Sequence, residues 1–390
     1  HTTDPGRSRY VDGVTARRQA GSTLKPFLYA LAFDRRILTP ATRIDDRPLD
    51  LAVAGGIYQP RNYDSGHQGA VSARTALASS MNVPAVRAAE MAGVDLFLRT
   101  LRELGFAGLQ EDGDFYGPAL ALGTADVSLW ELVAAYRLLA VGGAAGALRL
   151  APGDAAPSGD RVFSAEAAFL VTDILSDREA RSATFGLENP LAPRFPAAVK
   201  TGTSKDMRDN WCIGYSHRYT VGVWVGNFSG APMREVSGVT GAAPLWMELM
   251  NALGDTAPLL PDEAPAGLVR AVVGDPGRAE WFIRGTVPAP AAPAGAMVRI
   301  TYPPPEAVLA LDPDIPPERQ RVVFTAQALS GELRWALDGR PLPGTGPTVA
   351  WPPEPGLHEL TVSAPGGDVD RVRFHVRGHG AMRPPGGRPR

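Results

Sequence analysis

The chain contains a single cysteine, Cys212, in 390 residues. One cysteine excludes a disulfide framework and a cysteine-ligated zinc site. It also fits a protein that works outside the reducing cytosol without disulfides. Lysine is nearly as scarce: only Lys25, Lys200 and Lys205 occur, and arginine supplies the rest of the 39 basic residues. The formal net charge of −2 gives no electrostatic case for nucleic acid or for an anionic membrane surface. No apolar run is long enough to span a bilayer, and no signal-peptide pattern is present. The chain opens at His1 inside a polar stretch and reads as the cut end of a longer protein, so missing targeting segments say nothing about location. Glycine (43) and proline (37) are abundant but not periodic, and no internal repeat is visible. A length of 390 residues at 44% hydrophobic content allows two or three domains.

What is present is organised. Residues 22–38 read as a buried helix with Leu24, Phe27, Leu28 and Leu31 at helical spacing, and Pro26 is tolerable there only in the first turn. Residues 71–93 read as two helices joined around Ser80–Val83, with Pro84 opening the second. Residues 128–143 carry a capping box, Ser128 with Glu131, and stop at a glycine pair. Another amphipathic helix is expected over 164–176. The period then changes: FPAAVKTGTS and NWCIGYSHRYTVGVWVGNF read as strands, the second a hairpin turning at His217–Arg218. A helix over 243–253 is expected to cover the sheet. Helices first and an antiparallel sheet after them predict an α+β domain over 1–253.

Beyond residue 253 the composition shifts. Residues 254–296 read as a Pro/Ala-rich linker enclosing one strand-like piece, LVRAVVGDPGRAEWFIRGT. Residues 297–377 alternate short strands and turns, with turn signals at Asp338–Gly339 and Gly366–Gly367 and a central Trp335. That pattern predicts a small Ig-like β-sandwich without catalytic chemistry. Residues 378–390 read as a disordered tail.

In a chain that writes its positive charge as arginine, Lys25 stands three residues after Ser22. The two side chains share a helical face. A serine hydroxyl needs a neighbouring base to become a nucleophile, and a buried lysine near other positive charge can be that base. Arginine cannot, because its guanidinium keeps its proton. A helix start adds free N–H groups and a positive dipole for a developing oxyanion. Ser-x-x-Lys by itself is weak, since about one match per chain is expected by chance. Two further stretches add weight. Ser80-x-Asn82 lies on an inter-helix connection, where the plain alternative is a helix cap. Lys200-Thr201-Gly202-Thr203 ends an apolar strand, where the plain alternative is a polar strand end, and Gly202 is expected to admit a substrate backbone.

Ser-x-x-Lys, Ser-x-Asn and Lys-Thr-Gly in this order are the motif set of penicillin-recognising serine enzymes. The stretches RRQAGSTLKPFLYALAFD, YQPRNYD, ALASSMNVPAVRAAEMAG, LALGTADVSLWELVAAYRLLAVGG and VKTGTSKDMRDNWCIGYSHRYTVGVWVGNFSG resemble the transpeptidase domain of class A (bifunctional) penicillin-binding proteins. The C-terminal sandwich resembles the extra domain of the 1C subfamily.

The resemblance implies a fold, a reaction and a set of roles. Ser22 would attack the penultimate D-alanine carbonyl of a peptidoglycan stem peptide, with Lys25 as general base. Ser80 would relay protons, and Asn82 would hold the donor peptide. Lys200 and the hydroxyls of Thr201 and Thr203 would bind the substrate carboxylate and help keep Lys25 neutral, with Gly202 beside them in the substrate-binding set. The backbone N–H groups of Ser22 and Thr203 would form the oxyanion hole. An amine from a neighbouring stem would take the acyl group, and β-lactams would acylate Ser22. No metal or cofactor is implied. The implied location is the periplasmic side of the bacterial inner membrane, through an anchor outside this chain. A cell-wall protein is the implied class of partner for the sandwich.

Two departures stand out. Ala20 replaces the usual proline, and the family's glycosyltransferase domain, anchor and first sheet strands lie upstream of this chain, which would leave one sheet edge open. Rival readings are a DD-carboxypeptidase, a β-lactamase-like hydrolase and a non-catalytic penicillin-binding scaffold. For a hydrolase, Glu103 and Glu131 are the carboxylates to consider. A histidine-based hydrolase is disfavoured, because no Gly-x-Ser-x-Gly elbow occurs and His217 reads as a turn residue. Trp211 and Tyr215 fit either the substrate groove or the core.

Overall fold

Helix α1 (Lys25–Asp34) is apolar on every side, and residues 25–33 are all buried, as expected of a helix enclosed by others. In this computed structural model the described residues are 10–377, apart from 54–55, 63–65, 145, 147, 149–150, 152–160, 187–189, 275–276, 289–297, 305–306, 312–315, 317–318, 328–331 and 365–368. The expected tail and the Gly366–Gly367 turn lie outside them. The chain divides into two compact units, His1–Val287 and Pro288–Arg390.

The helix expected over 22–38 is shorter and compound. Gly21–Leu24 form a 3-10 turn, α1 follows with Pro26 in its first turn, and Arg36 in the left-handed region (φ 56°) ends the run. Phe27 packs edge-on against Phe106 and Tyr136, with ring centroids 5.8 and 5.3 Å away. Residues 70–72 form a short strand rather than a helix start. Helix α2 (Ala73–Ala78) follows, capped by Ser72 Oγ accepting from Thr75 N at 3.1 Å. Helix α3 (Asn82–Ala92) begins at Asn82, two residues before Pro84, so the connection is Ser79–Met81. Helix α4 (Val94–Glu103) continues the layer.

Helix α5 (Leu129–Ala140) carries both halves of its capping box: Glu131 N donates to Ser128 Oγ and Ser128 N to Glu131 Oε2. Helix α6 (Ala165–Ser176) is capped by Ser164, and α7 (Arg178–Phe185) by Asp177. These helices pack on an antiparallel sheet of β1 (Ala198–Thr203), β2 (Asp209–Tyr215) and β3 (Thr220–Gly226), in that spatial order. All seven residues of β2 are buried, because helices cover both of its faces. The hairpin turns through His217–Arg218, closed by Ser216 N donating to Tyr219 O at 2.8 Å. Strand β3 pairs only with β2 among the described residues, so its outer edge is open. Helix α8 (Ala243–Leu253) covers the sheet through Trp246, whose Nε1 donates to Val221 O at 3.1 Å.

The stretch expected to be a linker is folded as far as residue 287. Strands β4 (Leu268–Val273) and β5 (Arg278–Ile283) form a hairpin that packs on α6, Trp281 lying edge-on to Phe169 at 5.6 Å. Buried Glu280 takes Arg74 Nε and Nη2 at 2.6 and 2.5 Å, and Asp173 and Asp177 complete the cage. A buried guanidinium needs those counter-charges, and this need fastens the hairpin to the rest of the first unit.

The second unit is a β-sandwich. One sheet holds β6 (Arg299–Tyr302), β8 (Val322–Gln327) and β11 (Thr348–Trp351) in the order β6-β8-β11. The other holds β7 (Ala307–Ala310), β9 (Arg334–Leu337), β10 (Arg340–Pro341), β12 (Gly356–Ser363) and β13 (Val369–Arg377) in the order β7-β13-β12-β9-β10. Phe324, Trp335, Trp351 and Phe374 fill the space between the sheets, so Trp335 shares the centre with a second tryptophan. Asp338 and Gly339 both have positive φ, as a two-residue hairpin turn requires.

Candidate active site

Ser22 sits on the 3-10 turn, not on α1 itself, and that turn is wedged between two backbones. Gly21 N donates to Gly123 O at 3.1 Å, and a Cβ on Gly21 would lie 2.8 Å from Thr203 O. From the other side, a Cβ on Gly202 would meet Thr23 Cγ2 at 2.7 Å and Ala20 O at 2.8 Å. Gly202 is therefore needed for the close approach of the serine turn. That packing requirement stands beside the expectation that Gly202 admits a substrate backbone, since the residue also lines the cavity. Ser22 Oγ has no hydrogen-bond partner among the described residues, and the residue lines a cavity of about 340 Å³.

The α2–α3 connection reaches the same place. Ser80 adopts a left-handed conformation (φ 59°), which is strained for a serine and is braced by Ser79 Oγ donating to Ala180 O at 2.8 Å. Its hydroxyl accepts from Lys200 Nζ at 2.6 Å, and Lys200 also donates to Thr201 O at 2.8 Å. Lys25 Nζ donates to Ser80 O, Met81 O and Asn82 Oδ1 at 2.6, 3.0 and 2.7 Å. The three motifs, remote in sequence, thus meet around two lysine amines.

Both amines are buried. Burial, and next the positive charge of Lys200, push Lys25 well below the ordinary lysine range. Burial, then the Arg181 guanidinium, bring Lys200 down to about 7. Two cations sharing one dry site cannot both hold their protons easily.

Thr201, Gly202 and Thr203 line the cavity. Thr203 Oγ1 accepts from Gly238 N at 2.9 Å and keeps its own proton to donate. Ser204 N donates to Asp209 O, so 204 and 209 form a hydrogen-bonded pair and the next pair, Thr203 and Asn210, does not. The Thr203 N–H therefore points away from β2, toward the open side of β1.

Trp211 and Tyr215 resolve to the core. Trp211 Nε1 donates to Gln19 O at 2.8 Å, and Tyr215 Oη bonds Thr172 Oγ1 at 2.8 Å. Glu131 is occupied by its capping box, Glu103 ends α4, and neither lines the cavity. Among the described residues the only carboxylate lining the cavity is Asp46. It accepts from Asn62 Nδ2 at 2.7 Å and from Gln68 N at 2.8 Å, and Asn62 Oδ1 accepts from Asn82 N at 2.9 Å. Sequence reading assigned Asn62 and Asp46 no role. Asn62 lies in YQPRNYD, one of the stretches that carry the family resemblance, and that resemblance is the signal that points to it.

Residues 3–234, more than half the chain, match the family described as the penicillin binding protein transpeptidase domain. The chain belongs to this family. Residues 287–374 match the Penicillin-Binding Protein C-terminus Family, which coincides with the sandwich. Penicillin-binding protein 1C of Escherichia coli K12 is 38% identical over 277 residues, covering 70% of this chain and 34% of that protein. Penicillin-binding protein 1B of Haemophilus influenzae is 28% identical over 253 residues, covering 61% and 31%. The chain thus spans about a third of the length of these relatives. Penicillin-binding protein 1A from Haemophilus influenzae has a similar structure, with a TM-score of 0.63 at 24% identity over 72% of this chain and 50% of that one. The PonA1 protein from Mycobacterium tuberculosis, solved with penicillin V, gives 0.54 at 22% identity over 65% and 73%. Among the described residues no helix is long and apolar enough to cross a membrane.

Proposed function

We propose that the chain carries the DD-transpeptidase activity of a bifunctional cell-wall enzyme and cross-links peptidoglycan stem peptides ending in D-Ala-D-Ala. The observation that carries this reading is the pair of bonds Lys25 Nζ–Asn82 Oδ1 (2.7 Å) and Lys200 Nζ–Ser80 Oγ (2.6 Å), which join all three motifs at the cavity where Ser22 lies.

An ammonium at Lys25 would match its three acceptors with three protons. The neutral amine keeps two donors and gains a lone pair, and burial favours that form. In the acylation step Lys25 takes the Ser22 proton as Oγ bonds to the penultimate D-alanine carbonyl carbon. The oxyanion is held by the N–H groups of Ser22 and Thr203. The C–N bond then breaks, and the departing D-alanine amine receives a proton through Ser80. The acceptor amine attacks the ester and loses its proton by the reverse route, restoring Ser22. Lys200, Thr201 and Thr203 hold the terminal carboxylate, and Asn82 Nδ2, which already donates one proton to Arg61 O, has a second for the donor peptide. β-Lactams would enter as mimics of D-Ala-D-Ala. Such a reaction belongs on the periplasmic side of the inner membrane, where the polymer is assembled.

The test is labelling with a fluorescent penicillin together with D-alanine release from a stem-peptide mimic. The wild type should give a stable label and release D-alanine, and Ser22→Ala should do neither. Label retained by Ser22→Ala would remove the mechanism. Stable label without D-alanine release would favour the scaffold reading, and rapid loss of label the β-lactamase-like one.

A further inference from the structure

Helix α3 starts without a local cap. Its N-cap residue is Met81, whose side chain makes no capping bond, so its first N–H groups need an acceptor from elsewhere. Asn62, twenty residues upstream, supplies it: Oδ1 accepts from Asn82 N at 2.9 Å and Val83 N at 3.3 Å. The amide is held in that orientation from behind, since Nδ2 donates to Asp46 Oδ1 at 2.7 Å and to Gly66 O at 2.9 Å. Asp46 is fully buried, and its second oxygen accepts from Gln68 N at 2.8 Å. A continuous chain of bonds therefore runs from the Asp46 carboxylate through Asn62 and Asn82 to the Lys25 amine.

We propose that Asn62 and Asp46 are positioning residues of the acylation step: Asp46 orients the Asn62 amide, Asn62 fixes Asn82, and Asn82 fixes the Lys25 amine. The inference rests on the reading of Ser22 and Lys25 as nucleophile and base. A cap alone would explain the bonds to α3 but not the buried carboxylate behind it. A neutral cap needs no counter-charge; burial and Lys200 depress the Lys25 pKa, and the carboxylate reaches that amine through the bonded positions of Asn62 and Asn82. The other titratable groups around the amine are Lys200 on β1, Arg181 on α7 beyond it, Cys212 on β2, Tyr29 one turn along α1, and Tyr136, bonded to Thr23 O. His67 bonds the Asp46 backbone oxygen at 2.6 Å. None of these groups is a carboxylate.

The experiment measures the second-order rate of fluorescent penicillin acylation from pH 5 to 9, on the full chain and three variants. Asn62→Ala should lower the plateau rate at least about tenfold while still labelling Ser22. The exchange Asp46→Asn with Asn62→Asp can rebuild the bonds to Gln68, Asn82 and Val83, losing only that to Gly66, but it moves the negative charge one link closer to Lys25. It should recover most of the rate and shift the acid limb upward by about one pH unit. Wild-type kinetics in Asn62→Ala, or an exchange variant whose acid limb superimposes on the wild type, would overturn the proposal. Should Asn62→Ala not fold, the exchange variant decides alone. Ser22→Ala is the control: if it still labels, the nucleophile assignment falls, whereas its silence beside unperturbed Asn62 variants condemns only the network.

Discussion

Lys200 Nζ donates to Ser80 Oγ at 2.6 Å across 120 residues of sequence, and the serine that receives it is held in a left-handed conformation. A lysine within a strand thus reaches a helix connection, and the two motifs become one device. Lys25, its other neighbour in the dry site, shares the consequences.

The first is a bell-shaped pH profile. Lys25 must be neutral to take a proton, so acylation rises as pH climbs through its depressed pKa. Lys200 must be charged to hold a carboxylate, so in the free enzyme the rate declines as pH passes about 7. The pH dependence of kcat/KM on a peptide mimic measures both limbs. A profile flat from pH 5 to 9 would contradict the shared burial of the two amines.

Lys25→Arg and Lys25→Met should part company in stability while agreeing in inactivity. Arginine keeps its charge and is too large for a site closed by Ser80 O, Met81 O and Asn82 Oδ1. Both variants should lose at least about 10²-fold in acylation rate. Methionine, of similar volume, leaves Ser80 O, Met81 O and Asn82 Oδ1 without their donor and should lower the melting temperature modestly, whereas arginine, forced to keep a charge in that site, should lower it further. Thermal melts beside penicillin labelling settle the point.

Lys200 also links stability to pH. Its pKa is about 7 folded against an ordinary 10.5, so the folded state binds fewer protons between those values. Stability therefore rises with pH across that window, by up to about 5 kcal/mol, and is lost again as pH falls toward 7. Denaturant melts at pH 7 and 9 should show a larger gain for the wild type than for Lys200→Met.

Gly202→Ala tests the packing of the serine turn. The added Cβ would press on Ala20 O and Thr23 Cγ2 at under 3 Å and displace Ser22. Displacement of that size should cost about 10²-fold in acylation with the fold retained. Labelling rates at unchanged circular dichroism would confirm it, and an unaltered rate would refute it.

Glu280→Ala should destabilise the first unit by about 2 kcal/mol, because Arg74 keeps Asp173 and Asp177 but loses its bidentate partner. Earlier proteolytic cleavage within 254–287 and a lower melting temperature are the readouts.

Much of the fold was legible because its signals are local. The Ser128–Glu131 capping box, the His217–Arg218 turn and the Asp338–Gly339 hairpin each follow from chemistry confined to a few residues. The hairpin at 268–283 reads in the sequence only as a strand-like piece between linkers, because proline and alanine dominate its flanks. What holds it is Glu280, whose partner Arg74 lies 206 residues away. Helix α4, strongly amphipathic, was overlooked between two better-marked neighbours.

By itself the sequence determined which chemistry is possible: a lysine where arginine would fail, a serine one turn before it, and a lysine-threonine-glycine strand end. Motif order and residue type are properties of the chain, and they survive without coordinates. Tertiary structure alone decided which groups stand beside which. It pressed Gly202 against the Ser22 turn at the cavity wall, sent Trp211 and Tyr215 to the core, and placed Asn62 and Asp46 behind Asn82. Those outcomes depend on close packing and on the need of every buried donor for an acceptor, and both conditions operate through space between residues that the chain keeps far apart.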